Sequence, residues 1–155
     1  MRNRLNRGDG ERGASAVEFA LIAALLLMIV FGIIQFGIAY NRQQSLESAA
    51  REGARVASID GTQSAITTRV GQAVSLINSA DITISYSYST DNGSTYTAIA
   101  NNSTDKPCTD AGTGQLIKVT TSVTGNPSNY WITIPLVGTF HLTYSASGVF
   151  RCESS

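Results

Sequence analysis

The sequence predicts an α+β protein in which a long N-terminal helix packs on a C-terminal antiparallel β-sheet. Three observations predict it. No charge falls between Glu18 and Arg42, and an apolar run this long exceeds the roughly 18 residues that mark a membrane-spanning helix. From Arg42 to Ile59 small and apolar residues recur at helical spacing. Beyond Ile82 the period changes to two, in a composition rich in Ser, Thr, Gly, Asn and Tyr that suits exposed antiparallel strands.

The chain has 155 residues, room for one domain plus an anchor. Charged residues make up 14% against a usual ~25%. Formal charge is zero and Lys is rare, so no electrostatic capture of nucleic acid is expected.

Residues 1–13 read as a basic leader. Arg2, Arg4, Arg7 and Arg12 outweigh Asp9 and Glu11, while Gly8, Gly10 and Gly13 disfavour a helix. A basic segment ahead of an apolar run fits a cytoplasmic N-terminus, but Arg42, Arg51 and Arg55 follow on the other side, so an outward C-terminal domain rests also on the two cysteines and on the resemblance given next. A cleaved secretory signal fits poorly, because the apolar run is too long and Ala14-Ser15-Ala16 precedes it. An uncleaved signal anchor stays open on composition alone. Glu18 opens the span, where a carboxylate costs a few kcal/mol on insertion scales. Such a residue is either paired or seated in the headgroups, favoured by the positive helix N-terminus.

Gly13-Ala14-Ser15-Ala16-Val17-Glu18-Phe19 resembles the processing site of type IV prepilins, with Gly before the cut and Glu fifth after it. Phe31 to Tyr40 and Ala49-Ala-Arg-Glu-Gly-Ala-Arg55 look like the TadE-like pseudopilin family of the tight-adherence pilus system. The likeness covers roughly residues 13–57. Many members carry a Pro among the early leucines, where this chain has Ala23-Ala24; the helix should be straighter for it. The resemblance implies a type IV pilin-like fold, cleavage by a prepilin peptidase between Gly13 and Ala14, and residence in the inner membrane as a single-pass protein. It also implies that Glu18, followed by Phe19, pairs with the N-terminal amine of a neighbouring subunit. The partners implied are the peptidase, other pilin-like subunits, the assembly platform and membrane lipid. Major pilins of that system are much shorter, so the size points to a minor component.

The expected long helix spans 14–59, transmembrane at about 19–40 and amphipathic at 41–59. Leu46, Ala49, Ala50, Gly53, Ala54 and Ala57 share one face of the outer half. Ala49, Gly53 and Ala57 form a small-residue ridge, which packs either on the chain's own sheet or on a neighbouring subunit. Glu47 and Arg51 form a favourable i,i+4 pair. Gln35, the polar side chain within the span, either hydrogen-bonds between helices or reaches for headgroups.

Residues 60–155 read as the extracytoplasmic domain. Asp60-Gly61 should stop the helix. Ile66, Val70, Ala73, Val74 and Ile77 predict a second helix over 64–78, and antiparallel strands follow over 82–152. Ile82 to Ser89 is the first of them, and Asn92-Gly93 favours a two-residue hairpin turn into a strand over Thr95 to Ile99. Asn101 to Gly114 reads as a loop carrying Cys108. Ile117 to Val123, Trp131 to Ile134, and a long Phe140 to Cys152 complete the set. Cys108 and Cys152 in an extracytoplasmic domain are most simply a disulfide, the alternative being two unpaired thiols.

No catalytic set stands out, so the chain reads as a non-enzyme without cofactor. Two Cys and the single His141 make no zinc pattern, and a lone His on a strand is more often structural. Asp91-Asn92-Gly93 is similar to part of a calcium loop, but the following spacing lacks the terminal Glu of an EF-hand. The tyrosines and Trp131 fit sheet packing better than a binding surface. The leading expectation is therefore a pilin-like minor component. The rival is a membrane-anchored adhesin or ligand-binding module.

Overall fold

The computed structural model describes residues 9–123 and 130–153, with side chains from residue 13 onward. Arg2, Arg4, Arg7 and Gly8 of the expected leader lie outside the described residues, as does the side chain of Arg12. The architecture is α+β: a long helix packed on an antiparallel sheet.

Helix α1 runs from Asp9 to Ser58, 50 residues, about 75 Å at 1.5 Å per residue. It therefore begins inside the expected leader, and Gly10 and Gly13 are helical rather than breaking. Once a helix is nucleated, each added residue gains a hydrogen bond for one residue fixed. The apolar run carries that gain back through two glycines. The far end closes as a Schellman motif. Gly61 N–H donates to Val56 O at 3.0 Å and Asp60 N–H to Ala57 O at 3.3 Å. The left-handed residue is Asp60 (φ 66°), not the glycine. Gly61 is required for another reason: a Cβ there would lie 2.6 Å from the Val56 carbonyl oxygen.

Helix α2 (Gln63–Ala73) starts at Thr62, whose side chain accepts from Ala65 N–H. It buries Gln63, Ile66 and Val70. It stops short of the expected Asn78. Ser75 N–H donates to Ser45 Oγ on α1 at 2.6 Å, Leu76 turns left-handed (φ 61°), and Ile77 drops into the core. Tertiary bonds to α1 thus replace the last helical turn, and a 3-10 turn over Ser79–Asp81 leads into the sheet.

The main sheet has the order β2-β1-β3-β6, built from β1 (Ile82–Ser89), β2 (Thr97–Ile99), β3 (Leu116–Val123) and β6 (Ser145–Arg151), all antiparallel. A short helix α3 (Pro107–Ala111) lies in the segment expected to be loop, with Pro107 pre-set for its first turn. Asn92-Gly93 turns the chain as expected, with both φ positive and Ser94 N–H donating to Asp91 O at 3.4 Å, but the ladder closes farther back: Tyr88 pairs with Thr97, leaving residues 89–96 between. A polar cluster holds it open. Ser89 Oγ donates to Asp91 Oδ1 (2.6 Å) and accepts from Gly93 N–H (2.8 Å), and Asp91 also accepts from Thr95 N–H and Oγ1.

The expected long last strand is two strands. β5 (Gly138–Phe140) folds back on β4 (Ile132–Ile134) as a separate two-stranded sheet, and β6 joins β3. Between them Tyr144 is buried. Its hydroxyl donates to Tyr130 O at 3.3 Å and its carbonyl accepts from Val123 N–H at 3.0 Å. The alternation of Phe140, Leu142 and Tyr144 therefore does not mark one continuous strand; the chain crosses the end of the sheet to cap it.

Two clusters share α1. The outer one joins Ala49, Ala54 and Ala57 to Ile66, Val70, Tyr86, Ile117, Val119 and the Cys108–Cys152 disulfide. Closing 44 residues of chain lowers unfolded-state entropy by about 4 kcal/mol equivalent. The inner cluster joins Ala39, Leu46 and Ala50 to Ile77, Tyr130, Ile132, Tyr144 and Ala146. Strand β6 runs alongside α1 in the same direction: Gln43 Nε2 donates to Ser145 O, Gly148 lies against Ala50, and Glu153 N–H donates to Ser58 O.

At the middle of that run backbone meets backbone. A Cβ on Gly148 would lie 2.4 Å from Ala50 O and 2.7 Å from Arg51 Cα. Gly148→Ala should destabilise the full chain by about 1–3 kcal/mol, read as a lower thermal midpoint in detergent micelles. Gly53→Ala should cost less. Its nearest neighbour is a side-chain methyl, Val70 Cγ2 at 2.7 Å, and alanine recovers about 1 kcal/mol of helix propensity. Equal midpoints for wild type and Gly148→Ala would disprove the close approach.

Candidate functional site: a bare helix and the domain that grips it

The candidate site residues fall into two groups along α1. Gly13, Ala14, Glu18 and Phe19 lie on the first described turns and are exposed, Phe19 by 73%. Ala14 and Glu18 are four residues apart and so share a face. Among the described residues, none forms an ion pair or hydrogen bond with Glu18 that brings the domain to it. Among the described side chains of α1, the first buried one is Ala39. Ahead of it Leu21, Ile22, Leu25, Leu26, Ile33 and Phe36 are all more than half exposed, and Cβ atoms on Gly32 or Gly37 would meet nothing. By length and composition this helix can cross a membrane. Residues 19–40 extend about 33 Å, against a hydrocarbon core of ~30 Å.

The second group is Ala49, Gly53 and Ala57, buried within the chain's own domain. Of the two packing partners open to this ridge, the structure provides its own sheet and α2. Gly53 faces Ile66 and Val70 on one side and Val119 on the other. Cys108 and Cys152 are bonded at the far end of the domain, tying α3 to the segment after β6.

Charges on the exposed faces brace the same junction. Arg69 of α2 donates from Nε (2.9 Å) and Nη2 (2.6 Å) to Glu52 Oε1, with Arg55 at 3.6 Å. Arg69 above all, with Arg55, holds the Glu52 carboxyl below its usual range. Glu47 and Arg51 are 4.0 Å apart and exposed, a contribution close to zero. Lys106 pairs with Asp60 at the helix stop.

Three tyrosines are core residues. Tyr86 donates to Gln63 O, and burial pushes its phenol up. Tyr130 donates to Asp81 and Tyr144 donates to Tyr130 O. Burial, then the Asp81 bond, raises the Tyr130 phenol. Arg42, the first charge after Glu18, lies 5.0 Å from the Tyr130 ring centroid. Trp131 behaves differently: it is partly exposed and stacks on His141 at 4.0 Å. An open groove of about 520 Å³ lies between α2 and β1, lined by Gln63, Thr67, Ile84, Tyr86 and Asn102. Gln63 does not face a ligand there; its amide bridges Ala100 O and Asn102 N–H.

Sequence reasoning placed a strand over Trp131 to Ile134 but missed its pairing with β5, and it missed the close approach at Gly148. The sequence does show that no Asp, Glu, Lys or Arg occurs between Lys118 and Arg151, and Pro135 marks the turn between β4 and β5.

Residues 13–55 match the model of the TadE-like protein family. The TadE-like segment thus begins at Gly13 and ends within the part of α1 that the domain grips. No curated protein and no solved structure matches the chain.

The pH dependence follows from Glu52 and from Asp91, whose carboxyl is held well below the usual range by the hydroxyls of Ser89 and Thr95 and by Thr95 N–H. Both folded pKa values are depressed. Their stabilisation is full above the unfolded carboxylate values of about 4 and is lost as pH falls through the folded ones. The thermal midpoint should therefore fall on acidification below about pH 4. Arg69→Gln should flatten the upper part of that fall, and an unaltered pH profile in this variant would exclude the Glu52 contribution.

Proposed function

We propose that the protein is a pilin-like minor component of a tight-adherence pilus or of its assembly machinery. It waits in the inner membrane with its N-terminus cytoplasmic. A prepilin peptidase cuts between Gly13 and Ala14, and the mature chain joins other pilin-like subunits at the assembly platform through its helix. The observation that carries this reading is the division of α1. Its TadE-like stretch starts with Gly13, Glu18 and Phe19 and is bare up to Ala39, whereas the ridge beyond is taken up by the chain's own domain. Assembly is thereby left to the apolar half.

The chemistry of Glu18 follows. Cleavage creates an amine at Ala14, on the same helix face and one turn away. In lipid, a bare carboxylate and a bare ammonium each carry a desolvation cost of several kcal/mol. Pairing between adjacent subunits, amine to Glu18, offsets both and sets the stagger of one helix against the next. Phe19 and the leucines beyond it supply packing without charge. The reading as a ligand-binding module has no comparable support, because the polar groups of the groove beside α2 bond to the chain itself.

Gly13→Ala should leave the leader attached when the chain is co-expressed with a prepilin peptidase, as read by N-terminal sequencing. A mature N-terminus at Ala14 in that variant would sink the cleavage step. Glu18→Ala should still be cut but should enter the sheared filament fraction about ten-fold less, the effect of about 1.4 kcal/mol lost per pairing. Wild-type incorporation would refute the pairing.

A further inference from the structure

We infer that the β4–β5 hairpin is a membrane-contact element, which seats the domain on the outer surface of the bilayer that α1 crosses. The inference rests on the anchor reading above and adds a second, peripheral lipid contact to it.

Position comes first. Strand β6 runs with α1, so that its beginning, Ser145, lies at Gln43 and its end lies toward Ser58. The end of the domain nearest the span therefore holds the segment that precedes β6, which is the hairpin. Its inner residues confirm the placement. Tyr130 and Ile132 pack in the cluster that contains Ala39 and Leu46, and Ala39 belongs to the last turn of the expected span. The domain thus begins where the lipid should end.

Composition comes second. Trp131, Leu136, Val137, Phe140 and Leu142 are large apolar side chains that remain exposed, Leu136 by 91%. The surrounding sequence from Val119 to Phe150 has no Asp, Glu, Lys or Arg. Trp and Tyr favour the membrane–water boundary, where an apolar ring and a polar edge are both accommodated. Exposed Tyr40 and partly exposed Trp131 flank this end of the domain. Arg42 stands over Tyr130, one residue from Trp131, at the depth where a cation meets headgroups.

Backbone conformation comes third. Val137 N–H donates to Ile134 O across Pro135-Leu136, and Leu136 has φ 68°. That second central position favours Gly or Asn. A leucine there bears a steric penalty while its side chain touches little of the protein. Strain of this kind at an outward apolar side chain points to a contact outside the chain, and the neighbouring span makes that contact lipid.

Trp131 is the sole tryptophan, so its fluorescence reports on the hairpin alone. The full chain would be reconstituted into vesicles of phosphatidylethanolamine and phosphatidylglycerol, with or without lipid brominated near the carbonyl region. Flotation on a density gradient tests the anchor separately. Trp131 should be quenched by the brominated lipid and shielded from aqueous iodide. Leu136→Gly, which relieves the left-handed strain, should keep the fold by circular dichroism yet reduce lipid quenching by roughly half. A chain that floats while Trp131 is quenched by iodide and not by lipid overturns the hairpin proposal and leaves the anchor intact. Shielding from both quenchers assigns the surface to a neighbouring subunit and overturns it equally. A chain that does not float removes the anchor reading and this proposal together.

Discussion

Everything about the placement of this domain depends on one contact, the approach of the β6 backbone to the α1 backbone at Gly148 and Ala50. A Cβ on Gly148 would sit 2.4 Å from the Ala50 carbonyl oxygen, well inside van der Waals contact distance. Helix and strand are thereby fixed in height as well as in distance. Sliding the strand by one residue would bring a side chain to the contact and turn its inward face outward. The small residues of α1 serve the same end on its other flank, where Gly53 lets Ile66 and Val70 of α2 close in. A helix with Leu at these positions would stand farther from both layers, at helix–helix spacings of about 8–10 Å set by side-chain size.

That fixed height divides α1 into a gripped part and an exposed part. The domain holds the helix from Ala39 to Ser58 and leaves the apolar half ahead of it without a partner among the described residues. The two ends of the domain are then finished differently. The far end is covalent and polar, with the Cys108–Cys152 bond, the Lys106–Asp60 pair and the Ser89–Asp91–Thr95 cluster. The near end is aromatic, its hairpin carries no charged side chain, and Arg42 and Asp81 there both meet Tyr130.

Particular residues show how far the sequence could be read. Gly13, Glu18 and the uncharged run to Arg42 announce themselves because charge is absent where it is normally frequent. Strands β1 and β3 were legible because one face is core and the other is solvent, so period two survives in the residue types. Asn92-Gly93 forms the turn that its residue types favour, with both φ positive and Ser94 N–H donating to Asp91 O at 3.4 Å; that the ladder closes only at Tyr88 and Thr97 is decided by Asp91, whose carboxylate collects donors from Ser89 and Thr95. Helix α2 was read too long because Ile77 keeps helical spacing yet is buried in the other cluster.

The sequence by itself determined the class of the fold, the extent of the apolar run and the pair of cysteines, and it carries the residues 13–19 that resemble a prepilin processing site. Each is a matter of residue type along the chain, set by solvation and by local backbone preference. Only the tertiary structure decided which surface takes the small-residue ridge, where the domain begins on the helix, and that the last alternating segment divides into a hairpin and a strand. Those depend on contacts between residues about a hundred positions apart, such as Ala50 with Gly148 and Gln43 with Ser145. No local propensity encodes them, because each is fixed only when two distant backbones meet.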